Sequence, residues 1–440
     1  MSTLAEVRLW GSTIGSVLLN DGDSCASFEY DPSFAKGGVS VAPLAMPLSS
    51  RIYRFPGLAR ESFHGLPGML ADSLPDKFGN ALIDVWLARQ GRRPESFNAV
   101  ERLCYTGKRG MGALEFYPLL DQGFPADKRL EISRLVELAS RILRDREGFR
   151  GSLGRAHPAA SKAGDESREM AQILQVGTSA GGARAKAVIA WNPETGEVRS
   201  GQADAGAGFQ HWIIKFDGVA GNRDKEPADP LGYTNIEYAY SIMAVTAGIV
   251  MSECRLFSEG GRNHFMTRRF DRGNGGDKIH MSTLGGLAHY DFNSAGAYGY
   301  EEVFPIIRRL DMPPGDMEQF FRRMAFNIAA RNQDDHVKNI AFLMDRRGRW
   351  RLSPAYDVTY SFQKDGLWTS QHQMSMNGKR DGFTLNDFIR CGKTAGLIRG
   401  RAAEIVREVR EALEQWPDFA SRAGVSEKRA TEIEQTFRIF

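Results

Sequence analysis

The chain has 440 residues, of which 42% are hydrophobic and 25% charged, close to the average of soluble globular proteins. This composition excludes a disordered or fibrous protein, and the length predicts two or three domains. Lys and Arg number 57 against 54 Asp and Glu, so the net charge of +3 argues against a protein that binds nucleic acid through a strongly basic domain.

The cysteines indicate a reducing compartment. Cys25, Cys104, Cys254 and Cys391 are far apart and form no CxxC pair, so neither a zinc ribbon nor a disulfide framework is encoded. The first residues, MSTLAEVRLW, carry charges where a signal peptide needs an apolar core, and no apolar run is long enough to span a bilayer. We therefore expect a cytoplasmic protein that does not associate with membranes.

Up to about residue 118 the sequence predicts short strands, turns and a helix. EVRLWGSTIGSVLL is typical of a small hairpin, and residues 68–90 have a helical periodicity that Pro75 interrupts. GKRGMGALEFYP predicts a glycine turn that leads into a strand. A helix is predicted over residues 131–146, and residues 151–169, rich in Gly, Ser, Ala and charge, are typical of a linker or loop.

Strands predominate after residue 172. ILQVGTSAGGARAKAVIAW predicts a strand, a glycine loop and a second strand, HWIIKFDG predicts another strand, and residues 234–248 an amphipathic helix. Further strands are predicted over 249–257 and 263–272, and helices over 317–331, 401–416 and 426–440. This order predicts an α+β fold with a two-lobed, protein-kinase-like core. Its β-rich N-lobe takes residues 123–272 and its helical C-lobe 273–440, preceded by a small mixed α/β N-terminal module at 1–122.

The loop DDHVKN, at residues 334–339, carries the first chemical signal. Phosphoryl transfer from ATP needs an acidic residue that orients the attacking hydroxyl, together with an amide oxygen and a carboxylate that hold magnesium. Asp334 and Asn339 have the D-x-x-x-x-N spacing of protein kinases, and Asp357 follows 18 residues later, after a hairpin-like segment. The alternative interpretation is a polar loop at the end of a helix.

Two features upstream fit the same chemistry. The glycine loop at residues 177–186 would let backbone N–H groups approach phosphate oxygens, with Lys186 adding charge, although a flexible hairpin turn is an equal interpretation. Lys215 lies within the apolar strand WIIKF and needs a partner if it is buried, for which Glu237 at the start of the next helix is available. The alternative is an edge-strand lysine that points to solvent.

Taken together, these segments resemble the HipA-type serine/threonine kinases, the toxins of bacterial toxin–antitoxin pairs. LADSLPDKFGNALI and GKRGMGALEF are similar to the N-terminal module of that family. GTSAGGARAKAVI, WIIKF, NIEYAYSIMAVTAGI, MTRRFDR, DDHVKNIAF and SPAYDVT are similar to its kinase core. The resemblance covers nearly the whole chain, and it is most specific at the D-x-H-x-x-N loop and the downstream Tyr-Asp pair.

The resemblance implies a role for each matching residue. Asp334 would be the catalytic base, and Asn339 and Asp357 would bind Mg²⁺, with Glu237 as the ion-pair partner of Lys215. Ser179, or alternatively Thr178, would be autophosphorylated, which would switch the kinase off. The residues that would contact ATP are Gly181, Gly182, Ala183, Arg184, Ala185, Lys186, Lys215, Arg268, Arg269, Phe270, His336, Val337, Lys338, Asn339, Tyr356 and Asp357. Among them, Arg268 to Phe270 would form the hinge strand that faces the adenine.

The chain also departs from the family pattern. Asp335 replaces a small residue and is expected to add a negative charge beside the base, and Arg184 and Ala185 replace a glutamine–glutamate pair. No glycine follows Asp357 in the manner of a DFG motif.

The resemblance implies an ATP- and Mg²⁺-dependent serine/threonine protein kinase that arrests growth by phosphorylating a cellular protein, such as an aminoacyl-tRNA synthetase. Its partner would be a small helix-turn-helix antitoxin of the HipB type, through which alone it would associate with DNA. Two alternatives stay open: a kinase of a small molecule or lipid, and a non-catalytic co-repressor partner of the antitoxin.

Overall fold

A computed structural model describes residues 2–120, 130–151, 173, 176–177, 184–201, 205–219, 231–273 and 276–440. The strands are β1 (Thr3–Leu9), β2 (Ser12–Leu19), β3 (Ser27–Tyr30), β4 (Tyr53–Arg54), β5 (Leu114–Tyr117), β6 (Lys186–Trp191), β7 (Val198–Ser200), β8 (Gln210–Lys215), β9 (Cys254–Glu259), β10 (Arg262–Arg268), β11 (His280–Thr283), β12 (Ala341–Met344) and β13 (Trp350–Leu352).

The helices within the described residues are interspersed with these strands, and three short 3₁₀ turns accompany them at Pro94–Ser96, Tyr300–Glu302 and Val337–Asn339. The helices are α1 (Pro32–Gly37), α2 (Arg60–Phe63), α3 (Gly68–Ala71), α4 (Lys77–Arg89), α5 (Ala99–Thr106), α6 (Ile132–Gly151), α7 (Tyr233–Thr246), α8 (Leu284–Ala288), α9 (Val303–Arg309), α10 (Pro314–Ala329), α11 (Leu385–Ala395), α12 (Arg401–Leu413), α13 (Trp416–Arg422) and α14 (Glu427–Glu434).

The strands of the described residues form three sheets. The first has the order β4-β3-β2-β1-β5 and the second β7-β6-β8-β10-β9, while β11-β12-β13 form a small third sheet among the C-terminal helices. The β1–β2 hairpin, the strands of the second sheet and the hairpin of β12 and β13 are all antiparallel. In the pairs β1–β2, β9–β10 and β12–β13, short turns join the two strands, as antiparallel pairing allows. The α+β fold class is confirmed.

Local signals set several helix boundaries. Asp76 caps the N-terminus of α4 directly after Pro75, so the predicted interruption of that helix is confirmed. Asn98 and Glu101 form a capping box on α5, and Pro314 occupies the first turn of α10, where its missing N–H costs nothing.

The core of the described residues consists of two large buried clusters and a third, small one between α4 and α5. The larger of the two large clusters joins the first sheet to α7 and to the C-terminal helices. The smaller of these two packs α4 and α6 against the second sheet through residues such as Phe78, Leu82, Leu135, Trp212 and Ile214. Helix α4, which belongs to the predicted N-terminal module by sequence, therefore shares its core with the β-rich lobe.

One predicted strand is wrong. Ile173, Val176 and Gly177, expected in a strand before the glycine loop, are helical, and Ile173 and Val176 are buried in the smaller cluster. Positions three residues apart lie on the same side of a helix, so the helix buries both Ile173 and Val176. This packing outweighs the preference of β-branched residues for strands.

All four cysteines are free, and no helix among the described residues is long and apolar enough to cross a bilayer.

Candidate active site

Two lysines lie side by side on the second sheet. In the antiparallel register of β6 and β8, Lys186 is directly opposite Lys215, which puts both side chains on one face. Lys186 is 2% exposed and Lys215 is 9% exposed. Two neighbouring ammonium groups that are removed from water need anionic partners, and the same face would also attract a polyanionic ligand.

Lys215 has two carboxylate partners. Its Nζ donates hydrogen bonds to Oε1 of Glu237 in α7 and to Oδ1 of Asp357, so one ammonium group joins the second sheet to the C-terminal lobe. Burial by itself would lower the pKa of Lys215, but the charges of Asp357 and Glu237 outweigh it and raise the pKa. Lys215 and Lys186 in turn lower the pKa of the Asp357 carboxyl against the effect of burial, so Asp357 is held ionised.

The loop after α10 closes on itself. Nδ2 of Asn339 donates a hydrogen bond to the backbone carbonyl oxygen of Asp334 at 2.8 Å. The five-residue spacing between them lets this bond form within one loop. The Asp334 side chain is 44% exposed, and its Oδ1 accepts a 2.7 Å hydrogen bond from Nε1 of Trp368. The backbone N–H of Asp334 donates to Oγ of Ser361 at 3.0 Å. The carboxylate is thus oriented and reachable from solvent, as a group that meets a substrate hydroxyl must be.

Asp335 does not place an uncompensated charge beside Asp334, contrary to expectation. Its buried carboxylate accepts hydrogen bonds from the Tyr300 hydroxyl at 2.5 Å, from Nδ1 of His372 at 2.8 Å and from the backbone N–H of Gln373 at 2.7 Å. Burial opposes ionisation of this carboxyl, but His372 and the hydrogen bonds outweigh it and lower the pKa of Asp335. Hydrogen bonds inside the C-terminal lobe therefore stabilise the negative charge of Asp335.

The network continues behind His372. Arg438 donates to Nε2 of His372 at 2.8 Å, and because a guanidinium can only donate, this contact makes Nδ1 the donor to Asp335. Arg438 also donates to the carbonyl of Ile328 near the end of α10 and to Asp381. The position of the DDHVKN loop therefore depends on groups more than 30 residues away in sequence.

We predict that Asp335→Asn lowers the free energy of unfolding by about 3 kcal/mol, because an amide cannot accept all three of these hydrogen bonds and its NH₂ group would face donors. Urea unfolding followed by circular dichroism measures the change. Asp277→Asn, at an exposed position, is the control and should change stability by less than about 0.5 kcal/mol. Equal stability of both variants would show that the Asp335 network is not formed.

Asn339 and Asp357 have the donor chemistry that Mg²⁺ requires. Both line a cavity of about 30 Å³ together with His336 and Tyr356. Because Nδ2 of Asn339 is committed to Asp334, its Oδ1 is the atom available as a ligand, and amide and carboxylate oxygens are hard donors suited to Mg²⁺. Asp357 has a φ of 51°, a left-handed conformation that is uncommon outside glycine. No cluster of three or more His, Cys, Asp or Glu residues suited to a metal occurs in the described parts of the chain.

The segment expected to face the adenine is only partly directed toward the cavity. Arg268 contacts Glu253 at 3.3 Å, and Arg269 forms a buried ion pair with Asp271 at 2.7 Å. The Phe270 ring lies 5.5 Å from the ring of Tyr356, a residue that lines the cavity. Of the three predicted hinge residues, Phe270 is thus the one whose side chain reaches the site.

The remaining predicted nucleotide contacts surround these groups. The Arg184 guanidinium stacks 3.4 Å from the centre of the Tyr233 ring, and Ala185 is buried beside it in the chain. Lys338 lies over the Phe292 ring at 4.5 Å, and Val337 is buried. Five predicted residues, Thr178, Ser179, Gly181, Gly182 and Ala183, lie outside the described residues.

Two residues of the candidate site were not identified from the sequence. Trp368 contacts Asp334, and Asp76 lies 3.3 Å from Nζ of Lys186. Neither carries a spacing signal, because each reaches the site through the tertiary fold. From the sequence, Pro75 indicated only an interruption of the helical periodicity, and Asp76 was not assigned a role.

Comparisons with known proteins agree with this architecture. Residues 178–416 match the HipA-like C-terminal domain, and residues 5–117 match the HipA N-terminal domain. Among curated proteins, the chain is 27% identical over 201 residues to "Putative kinase Y4mE" of Sinorhizobium fredii, an alignment that covers 41% of this chain and 46% of that protein. The chain thus spans about half the length of this curated relative.

A solved structure resembles nearly the whole chain. It comes from the Shewanella oneidensis MR-1 toxin–antitoxin complex of HipA, HipB and operator DNA, with a TM-score of 0.65 and 15% identity, covering 98% of this chain and 94% of that chain. The likeness establishes a two-lobed, kinase-like fold that follows an N-terminal module, as predicted. With one family domain over more than half of its length and the companion domain before it, the chain belongs to the HipA family.

Proposed function

We propose that the protein is an ATP- and Mg²⁺-dependent serine/threonine protein kinase. The observation that carries this proposal is the ammonium group of Lys215, which joins Glu237 and Asp357 while Asp334 and Asn339 lie on one closed loop. A lysine paired with a helix glutamate, a base aspartate and two oxygen ligands for a metal are the parts that kinase chemistry uses.

Each of these residues would have a separate role in phosphoryl transfer. Asp334 would orient the substrate hydroxyl and accept its proton, with Trp368 fixing the carboxylate. Lys186 and Lys215 would bind phosphate oxygens, and Asn339 and Asp357 would hold Mg²⁺. The metal ion, when bound, offsets the charge that develops on the phosphoryl oxygens.

We extend the proposal to a toxin that a small, HipB-like helix-turn-helix antitoxin holds inactive in the cytoplasm, with DNA bound only through that partner. The solved relative, which assembles with HipB and operator DNA, supports this extension. The substrate would be a protein needed for translation, such as an aminoacyl-tRNA synthetase. Autophosphorylation at Ser179, or at Thr178, would end activity by placing a dianion where ATP phosphates bind.

Incubation of the purified protein with ATP and Mg²⁺, followed by mass spectrometry, tests this proposal. We expect one added phosphate on Ser179 or Thr178, and its loss when EDTA replaces Mg²⁺. Ser179→Ala and Thr178→Ala identify the acceptor. ATP binding without any phosphorylated hydroxyl on protein would favour a small-molecule or lipid kinase, and a failure to bind ATP·Mg²⁺ at millimolar concentration would favour the non-catalytic co-repressor.

A further inference from the structure

The turn between α3 and α4, in the N-terminal module, contacts the proposed kinase core. At one end of this turn, the Asp72 carboxylate accepts hydrogen bonds from the backbone N–H and the hydroxyl of Thr283, both at 2.7 Å, and from Ser282 at 3.1 Å. Gly286 makes this approach possible, because a Cβ there would lie 2.0 Å from Oδ2 of Asp72. The turn is therefore anchored to the third sheet.

At the other end of the turn, Asp76 faces Lys186. Its Oδ1 accepts the 2.6 Å cap hydrogen bond from the N–H of Gly79, while its Oδ2 lies 3.3 Å from Nζ of Lys186. The two side chains are 5% and 2% exposed. Burial raises the pKa of Asp76 to about 6, although the charge of Lys186 opposes this shift.

Helix α4 also supports the chain just before the glycine loop. A Cβ at Gly177 would lie 2.6 Å from Leu82 and 3.1 Å from Phe78, so this glycine packs directly on the helix that Asp76 caps. The same two side chains belong to the cluster that includes the inner strands of the second sheet. One helix thus contacts the chain at both Gly177 and Lys186.

Lys186 and Lys215 differ in their carboxylate partners. Lys215, directly opposite on β8, has two carboxylate partners of its own, and Lys186 also acts on Asp357 by lowering the pKa of that carboxyl. Lys186 forms a described ion pair with Asp76. Removal of the Asp76 carboxylate takes one anionic partner away from two neighbouring ammonium groups on the same sheet face, which favours displacement of Lys186.

We propose that Asp76 is a positioning residue of the nucleotide site: it holds the Lys186 ammonium where phosphate oxygens bind, so that the N-terminal module completes the ATP site. The inference rests on the proposed kinase function. Asp76 itself acts through Lys186 and contacts no substrate atom.

Asp76→Asn separates this role from helix capping, because Asn caps a helix as well as Asp but carries no charge. We expect the Kd for a non-hydrolysable ATP analogue with Mg²⁺, measured by calorimetry, to rise about tenfold, with kcat at saturating ATP within about threefold of the original. Asp31→Asn, at the partly exposed N-terminal cap of α1, is the matched control and should leave Kd unchanged.

A double-mutant cycle supplies the second readout. Lys186→Met should weaken analogue binding, and adding Asp76→Asn to it should weaken binding no further, because the carboxylate acts through the ammonium. If Asp76→Asn does not fold, Asp76→Ser keeps a capping side chain and serves in its place.

The outcomes are distinguishable. Unchanged affinity in Asp76→Asn, or additive losses in the cycle, overturns the positioning role while the kinase proposal stands. If the unaltered protein binds neither ATP nor the analogue, the proposed function fails first, and this inference fails with it.

Discussion

Replacement of Asp334 by Asn is expected to lower the rate of phosphoryl transfer by about 10³-fold, the contribution typical of a general base. The amide keeps the shape of the carboxylate and can still accept the Trp368 hydrogen bond, but it cannot take the proton of a substrate hydroxyl. Autophosphorylation measured by quantitative mass spectrometry, and transfer to a protein substrate once one is identified, should both fall.

The affinity for ATP should stay within about twofold in this variant, because Asp334 acts on the acceptor hydroxyl. Asp365→Asn, which removes an exposed carboxylate on the segment that carries Trp368, is the matched control and should keep full activity. Equal phosphorylation in Asp334→Asn and in the unaltered protein would overturn the role assigned to Asp334.

Asp357→Asn is expected to have an effect of similar size by another route. The substitution removes a charged ligand of the proposed Mg²⁺ site and one of the two carboxylates on Lys215, which keeps Glu237. Activity should fall about 10³-fold at millimolar Mg²⁺, and the Mg²⁺ concentration for half-maximal rate should rise. A titration of rate against Mg²⁺ measures both, with the exposed Asp365→Asn as control.

Growth assays extend this test to the cell. Expression of the unaltered chain without a partner should arrest growth, and Asp357→Asn should relieve the arrest. An unchanged Mg²⁺ dependence in vitro would contradict the metal role of Asp357. If cells tolerate both forms equally, the toxin proposal fails, while the kinase proposal is decided by the phosphorylation experiment alone.

Local sequence signals predicted most of the elements. The β1–β2 hairpin, the break at Pro75, and the helices α6, α7 and α10 follow from periodicity and punctuation that act within a few residues. The errors have tertiary causes. Residues 249–253 precede β9 instead of belonging to it, and the helix expected over residues 426–440 ends at Glu434, beyond which Phe437 packs on Trp416. The helices α1, α2, α5, α8, α9, α11 and α13 were not predicted individually.

Some residues of the candidate site could likewise be identified from local sequence, and others only from the structure. Spacing along the chain brought Asp334 and Asn339 together as a motif, since their contact closes a single turn, and it marked Lys215 as a lysine in an apolar strand. The sequence could also pair Lys215 with Glu237, only 22 residues away. These inferences needed no knowledge of how the lobes meet.

By itself, then, the sequence determined the kinds of most elements, the motif that we propose to be catalytic and the strand lysine, because those depend on short-range periodicity and spacing. The tertiary structure alone decided the other partners of the buried charged groups. It set Lys186 opposite Lys215, brought Asp76 to Lys186 from 110 residues away, and buried the Asp335 carboxylate against His372. Partner choice for a buried charge depends on burial and on distances between remote segments, which no local pattern encodes.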